Sequence, residues 1–439
     1  MSKYFGTDGI RGRFGKELTI ELANFVGNSL GSLGKKLKIL VGKDTRISGD
    51  AIELAFSTGA IVASASVTSV GICPTAGIAY LTSKFKFDYG VVISASHNPA
   101  EYNGIKIFDK FGKKISSELE NEIESRLGAL KIETLENLGT FTCDEQLTEN
   151  YITFLDKLFD FSLISKTIAL DMANGASSFI AKRLFENKGA KVIAVSNLPN
   201  GLNINENSGA THIENLIKTV RKSNADYGFS YDGDSDRVIA VDENGKVFDG
   251  DRILYIISNF YKLTNKNFKP MVVGTILTNM GLEQALFGKG IGLERTDVGD
   301  KNICKMIEEK SLLLGGEQAG HIIVRDLLPT GDGILNSLLL SFILEYTGKT
   351  FSELCSYKEF NQVCKNVRVK NKDKVLGNEK LKRYVSNFQK GLENIGRLVV
   401  RASGTEPVIR IMVETKDDEV SNNVAEKLLD IINEINEKI

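Results

Sequence analysis

Three times along this chain a short apolar run gives way to a loop of small and polar residues, and then to a helical pattern. The runs cover residues 37–42, 166–171 and 270–274, and the loops cover 43–49, 172–178 and 275–280. Short apolar runs bounded by turn residues read as buried strands, and strands alternating with helices dictate α/β architecture. The recurrence predicts three topologically similar mixed-sheet α/β domains. Beyond about residue 360 the pattern changes. Strand-like residues 397–401 and 408–413 flank a Ser-Gly-Thr-Glu-Pro turn, and Val420, Val424, Leu428, Ile431, Ile432 and Ile435 recur at helical spacing. A C-terminal α+β domain is expected there. The predicted division is 1–147, 148–249, 250–360 and 361–439, with the four domains packed around a central cleft.

Bulk properties narrow the function classes. The 439 residues balance 55 Lys+Arg against 56 Asp+Glu, so there is no basic footprint for nucleic acid or an anionic membrane. Any anion must be met by a local cluster of cations. The five cysteines are scattered with no C-x-x-C pair, which argues against a disulfide framework or a zinc site and fits a reducing cytosol. No apolar leader is visible at the start. The most apolar stretch, residues 334–344, is too short to span a bilayer, contains Asn336 and predicts a buried helix. A cytoplasmic location is expected.

Four loops carry chemistry. In the first, the strand-like residues 88–93 lead into Ser94-Ala-Ser-His-Asn-Pro99, where Asn-Pro breaks regular structure. Ser96 is expected to lie exposed at a strand end, where α/β proteins place ligands. An ordinary turn serine fits the same pattern. There is no G-x-S-x-G elbow, which argues against a hydrolase triad.

The second loop sets Asp232, Asp234 and Asp236 at alternate positions. Their mutual repulsion is unfavourable without a cation, and the strand-like residues 238–241 exclude an EF-hand. A compact hard-cation site, for Mg²⁺, is expected, with Arg237 beside it as a fork for phosphate oxygens. A solvated acidic turn is the alternative.

Third, Gly315-Gly-Glu-Gln-Ala-Gly-His321 holds Glu317, suited to accepting hydrogen bonds from vicinal sugar hydroxyls, and His321, a donor or acid/base. A tight turn with a capping Glu fits equally. Fourth, Arg401-Ala-Ser-Gly-Thr-Glu-Pro407 gathers a guanidinium, two hydroxyls and a Gly-opened backbone, as a phosphate dianion requires. Arg410 reads either as a contact or as a partner of Glu406 or Glu414.

The order S-H-N-P, D-G-D-x-D-R, G-E-x-x-G-H and R-x-S-x-T resembles the α-D-phosphohexomutase family across essentially the whole chain. Phe5-Gly-Thr-Asp-Gly-Ile-Arg-Gly12, Ile93-Ser-Ala-Ser-His97, Gly316-Glu-Gln and Ser403-Gly-Thr-Glu-Pro407 look most like its bacterial glucosamine-phosphate branch. The phosphomannomutase/phosphoglucomutase branch, the runner-up, more often shows G-E-M-S-G-H and an Asn in the last loop. The resemblance implies an isomerase that moves phosphoryl between the C6 and C1 oxygens of glucosamine phosphate, for amino-sugar precursors of the cell wall. A metal-dependent sugar phosphatase is a more distant alternative.

Roles follow from the resemblance. Ser96 would be a phosphoserine, binding one Mg²⁺ with Asp232, Asp234 and Asp236. Lys106 and His321 would be the acid/base candidates, Arg11 and Arg237 would lie near the transferring phosphoryl, and His97 would support them. Glu317 would hold sugar hydroxyls, and Arg401, Ser403, Gly404 and Thr405 the idle phosphate. Glucosamine 1,6-bisphosphate would be the priming intermediate, and a homodimer the assembly. Two departures stand out: Ala319 replaces a sugar-contacting Ser, and Ser235 replaces the usual Gly among the aspartates.

Overall fold

The computed structural model describes residues 4–6, 8–392, 395–403 and 407–439. By compactness the chain divides into two units, Met1–Lys269 with Gly299–Cys355 and Pro270–Val298 with Ser356–Ile439.

In the first unit the largest sheet has seven strands. Their order is Phe5–Gly6, Gly9–Arg13, Tyr102–Asp109, Tyr89–Ile93, Lys38–Lys43, Ser66–Ile72 and Phe141–Cys143. The last four run parallel to one another, while Tyr102–Asp109 is antiparallel to Tyr89–Ile93 and to Gly9–Arg13. Ile39, Val41, Val91, Ile93 and Ile105 are fully buried, because both faces of the central strands are covered. Helices Ile20–Gly31 and Gly49–Val62 pack at backbone contact: a Cβ at Gly27 would meet the Phe56 carbonyl, and one at Gly59 the Asn24 carbonyl.

The second sheet runs Val247–Phe248, Val238–Asp242, Tyr227–Tyr231, Thr167–Asp171, Lys191–Val195, with parallel pairing at the Thr167–Asp171 core and an antiparallel edge. Further along, Leu314–Gly316 pairs antiparallel with Ile322–Val324. Against these elements lies helix Gly333–Thr347, buried from Gly333 to Ser341 as its apolar run predicts. Asn336 is accommodated because its Nδ2 donates to the Ile322 carbonyl at 2.8 Å.

In the second unit Met271–Thr275 and Gly292–Thr296 pair in parallel, with helix Met280–Gly288 between them in sequence. A three-stranded antiparallel sheet, Asn361–Arg368, Val408–Thr415, Gly396–Ala402, is backed by helix Asp418–Glu437. The predicted α+β character of the C-terminal part is met. Among the described residues no helix is long and apolar enough to cross a membrane.

Candidate active site

Strand Tyr89–Ile93 delivers the Ser96 loop to the sheet's C-terminal edge, as predicted. The expectation of an exposed Ser96 is overturned: its residue exposure is 0%. Three distant segments close around the loop. All five N–H groups of Arg46 are used: Nε donates to Asp44 Oδ2 at 2.9 Å, and the other four to the carbonyls of Ser96, Asn98, Pro99 and Tyr102. Asn205 Nδ2 donates to the Ser96 and Asn98 carbonyls at 2.8 and 3.0 Å. Ser94 Oγ links Asp44 Oδ2 (2.6 Å) to the Ser96 N–H (2.9 Å). This scaffold holds Ser96 at φ 52°, a left-handed conformation that a non-glycine residue adopts at a cost of about 1 kcal/mol or more.

Ser96 Oγ donates to Asp232 Oδ2 at 2.5 Å, and its distance to His97 Nδ1 is 3.4 Å. Asp232, Asp234 and Asp236 are buried, each offering an oxygen within 4.8 Å of the others. Burial, then the neighbouring Asp236 and Asp234, push the Asp232 carboxyl well above its usual range. Asp236 is held well below it: burial opposes, but Lys106, His321 and Arg237 outweigh it. Oδ1 of Asp234 and Oδ1 of Asp236 have no hydrogen-bond partner. Clustered carboxylate oxygens with orphaned lone pairs fit a hard divalent cation such as Mg²⁺.

Two helix N-termini steady this loop. The Thr75 N–H, at the start of helix Thr75–Lys84, donates to the Asp234 carbonyl (3.0 Å) and its hydroxyl to Asp234 Oδ2 (2.6 Å). The Gly333 N–H, opening helix Gly333–Thr347, donates to the Ser235 carbonyl (2.9 Å). Positive helix ends suit an acidic loop. Ser235 sits at φ 62°, which explains why glycine would be at ease in that position.

Cations surround the acids. Lys106, fully buried, lies 2.7 Å from Asp234, 2.9 Å from Asp236 and 3.1 Å from Asp8. Burial opposes its charge, but these three carboxylates hold the ammonium well above its usual pKa. Arg11 pairs with Asp8 and reaches Asn98 Oδ1 at 3.4 Å, and Arg237 Nε lies 3.8 Å from Asp236 Oδ1. The buried Nε of Arg11 and of Arg237 makes no hydrogen bond. Burial and the nearby Arg237 and Arg11 bring His97 down to about 4, so it is neutral at pH 7. His321 lies 3.6 Å from Asp236 and 3.5 Å from Asp300. Burial opposes its protonation, but Asp236 and Asp300 prevail and raise its pKa.

Glu317 accepts from the Gly299 N–H at 3.0 Å, and Ala319 is exposed in the turn. That turn needs Gly320: its φ is 92°, and a Cβ would strike the Val238 carbonyl. Ser96, His97, Lys106, Arg11, the three aspartates, Arg237 and His321 are thus drawn into one polar cluster.

In the second unit Arg401 and Arg410 are cross-strand partners, and burial, then Arg410, lower the Arg401 pKa. Glu414, an alternative partner read for Arg410, is engaged by Arg397 at 2.7 Å. Ser403 is buried, and its carbonyl accepts from Lys372 Nζ at 2.7 Å. Gly404, Thr405 and Glu406 lie outside the described residues. Sequence reasoning missed Asp8, Asp44, Arg46, Ser94, Lys114, Asn205 and Asp300. Asp8 sits inside the Phe5–Gly12 motif, and the Asp-x-Arg of residues 44–46 follows a strand, so both left a local signal.

The chain is similar to known proteins over nearly its whole length. Family models described as phosphoglucomutase/phosphomannomutase match residues 2–132 (α/β/α domain I), 149–245 (domain II), 249–360 (domain III) and 365–431 (C-terminal domain). The phosphoglucosamine mutase of Clostridium acetobutylicum is 43% identical over 443 residues, 98% of this chain and 99% of that protein. Among solved structures, a phosphoglucomutase/phosphomannomutase family protein of Burkholderia thailandensis matches with a TM-score of 0.82 at 22% identity, over 98% and 97% of the two chains. The N-acetylphosphoglucosamine mutase of Aspergillus fumigatus, solved with GlcNAc-6P and magnesium, matches with a TM-score of 0.65 at 18% identity, over 99% and 96%. Four domain matches in order, and a 43% identical relative matched over 99% of its length, establish that this chain belongs to the phosphoglucomutase/phosphomannomutase family.

Proposed function

We propose that the chain is a phosphohexomutase isomerase that interconverts glucosamine 6-phosphate and glucosamine 1-phosphate. The carrying observation is Ser96 Oγ against Asp232 at 2.5 Å, inside a buried ring of carboxylates and cations. The sugar preference rests on the phosphoglucosamine mutase relatives at 40–43% identity over nearly the full chain.

The serine carries phosphate before substrate arrives. In the first half-reaction the bond from phosphorus to Ser96 Oγ breaks as one forms to the sugar O1. The displaced hydroxyl proton passes to a base, with His321 the candidate, since Lys106 of the acid/base pair is held as an ammonium. The product is glucosamine 1,6-bisphosphate. After the sugar turns end for end, Ser96 Oγ takes the phosphoryl from O6, and glucosamine 1-phosphate leaves. Lys106, held charged by its three carboxylates, suits the proton-donating half of this cycle. His97, neutral with Nδ1 3.4 Å from Ser96 Oγ, can donate to that oxygen as the Nδ1–H tautomer. The Nε groups of Arg11 and Arg237, which make no hydrogen bond, can donate to phosphoryl oxygens. Asp232, Asp234 and Asp236 would hold Mg²⁺, which when bound neutralises charge on phosphate oxygens.

Glu317 is assigned the sugar hydroxyls, beside Ala319 where one hydroxyl contact is lost. Arg401 and Ser403, with Gly404 and Thr405, are assigned the phosphate that is not transferred. We assign the four domains the limits 1–147, 148–249, 250–360 and 361–439, and propose a cytoplasmic homodimer supplying UDP-N-acetylglucosamine synthesis. The test is intact mass before and after incubation with glucosamine 1,6-bisphosphate, with turnover on the 6-phosphates of glucosamine, glucose and mannose. A gain of about 80 Da at Ser96 and preference for glucosamine are expected. A strong mannose preference would overturn the substrate, and phosphate release without isomerisation would overturn the reaction class.

A further inference from the structure

Six side chains of the first unit form a closed ring in which acidic and basic groups alternate. Asp8 Oδ2 lies 3.1 Å from Lys106 Nζ, which lies 2.9 Å from Asp236 Oδ2. Asp236 Oδ1 is 3.6 Å from His321 Nδ1, and His321 Nε2 is 3.5 Å from Asp300 Oδ2. Lys114 Nζ pairs with both Asp300 Oδ2 and Asp8 Oδ1, closing the ring. No member's side chain is more than 19% exposed, so water screens these contacts poorly.

Lys106, Asp236 and His321 already have roles in the proposed reaction, whereas Lys114 and Asp300 have none. We propose that Lys114 and Asp300 are positioning residues for phosphoryl transfer, locking the His321 imidazole against Asp236 and, through Asp8, the Lys106 ammonium. The proposal rests on the mutase reading above. Geometry supports it from a second side. Gly331 stands against the imidazole, where a Cβ would clash with Nε2 and Cε1, so the ring is confined on that flank as well as by the two carboxylates.

Lys114 follows strand Tyr102–Asp109, and Asp300 opens helix Asp300–Lys310. Lys113 and Glu308 join the same two regions at 2.5 Å, but with side chains 40% and 43% exposed, against 12% and 9% for Lys114 and Asp300. The outer pair is solvent-screened and contributes little, whereas the inner pair belongs to the ring. This contrast supplies a control that separates docking of the two elements from positioning of the site.

The test compares steady-state kinetics on glucosamine 6-phosphate for the wild-type chain and for Asp300→Asn, Lys114→Met, Lys114→Arg, their double variant D300N/K114M, and Lys113→Met, each with a thermal melt. Asp300→Asn and Lys114→Met are expected to lose about 100-fold in kcat with KM changed by less than about threefold, since misplacement acts on the transition state. Lys114→Arg should recover most of the loss, and Lys113→Met should match wild type. The double variant should fall no further than the worse single one, because both break the same ring. Full multiplicative losses, or kcat within about threefold of wild type for both single variants, would overturn the proposal. If Lys114→Met melts early, the near-isosteric Asp300→Asn decides. A wild-type chain that does not isomerise the substrate would overturn the mutase reading itself, a separate result from active wild type with active variants.

Discussion

Arg46→Met tests what keeps Ser96 in place. The wild-type guanidinium is fully buried and spends every N–H on Asp44 or on four carbonyls of the serine loop. Methionine fills much of the volume but leaves Asp44 as a buried carboxylate with only the Ser94 hydroxyl and the Arg46 backbone N–H for support. Breaking a buried pair this way costs about 3–5 kcal/mol. The Ser96 and Asn98 carbonyls keep Asn205, so the loop loosens rather than unravels. With net stabilities of about 5–15 kcal/mol the variant still folds. Its melting temperature should drop by on the order of 10 °C, taking about 2–4 °C per kcal/mol. Turnover should fall further than stability alone dictates, since a displacement of about 1 Å at the nucleophile can cost about 100-fold. Calorimetry and isomerisation assays below the lower melting temperature separate the two effects. Asp44→Asn, which leaves the guanidinium its carbonyl acceptors, should cost less than Arg46→Met. An Arg46→Met protein that melts within about 1 °C of wild type and turns over normally would refute the reasoning, because a buried charge of this kind cannot be orphaned without cost.

Two further outcomes are expected. Chelation should abolish turnover, and Mg²⁺ should restore it and raise the melting temperature, by about 2.7 kcal/mol of stability at 100 times its Kd; in Asp234→Asn, titration calorimetry should show weakened binding. Asp332, buried at the start of helix Gly333–Thr347, bonds Tyr151 Oη at 2.7 Å and has its pKa raised to about 6, chiefly by burial. A raised carboxyl pKa means the folded state holds the proton more tightly, so this stability is fully present below about pH 4 and is lost as pH rises through about 6. The stability of wild type relative to Asp332→Asn should therefore fall by on the order of 3 kcal/mol between pH 4 and 7, measured by denaturant titration; a flat difference would exclude it.

The strands legible in the sequence are those with dense apolar runs. Residues 166–171 and 270–274 appear as Thr167–Asp171 and Met271–Thr275, and the buried helix at 334–344 lies within Gly333–Thr347. Asn361–Arg368 gave no such signal, because its residues are polar apart from Val363, Cys364 and Val367 and only Val367 is buried. The acidic loop was legible because its function needs three like charges side by side. Asn205, Lys114 and Asp300 were not, since each has a partner more than 100 positions away in the chain. The burial of Ser96 was hidden for the same reason: the groups that cover it come from segments around 46, 205 and 232. Ala319 remains visible only as a departure, on an exposed turn.

The ring of alternating charges also bears on how the protein is made. Its first members, Asp8, Lys106 and Lys114, are synthesised early and leave two ammonium groups facing one carboxylate. Asp236, Asp300 and His321 arrive only as later segments emerge. Closing contacts across so much chain is entropically costly until most of the fold exists, so the ring forms late. On the proposed reaction, competence for phosphoryl transfer then waits on the segment that carries His321 rather than on the first residues to fold.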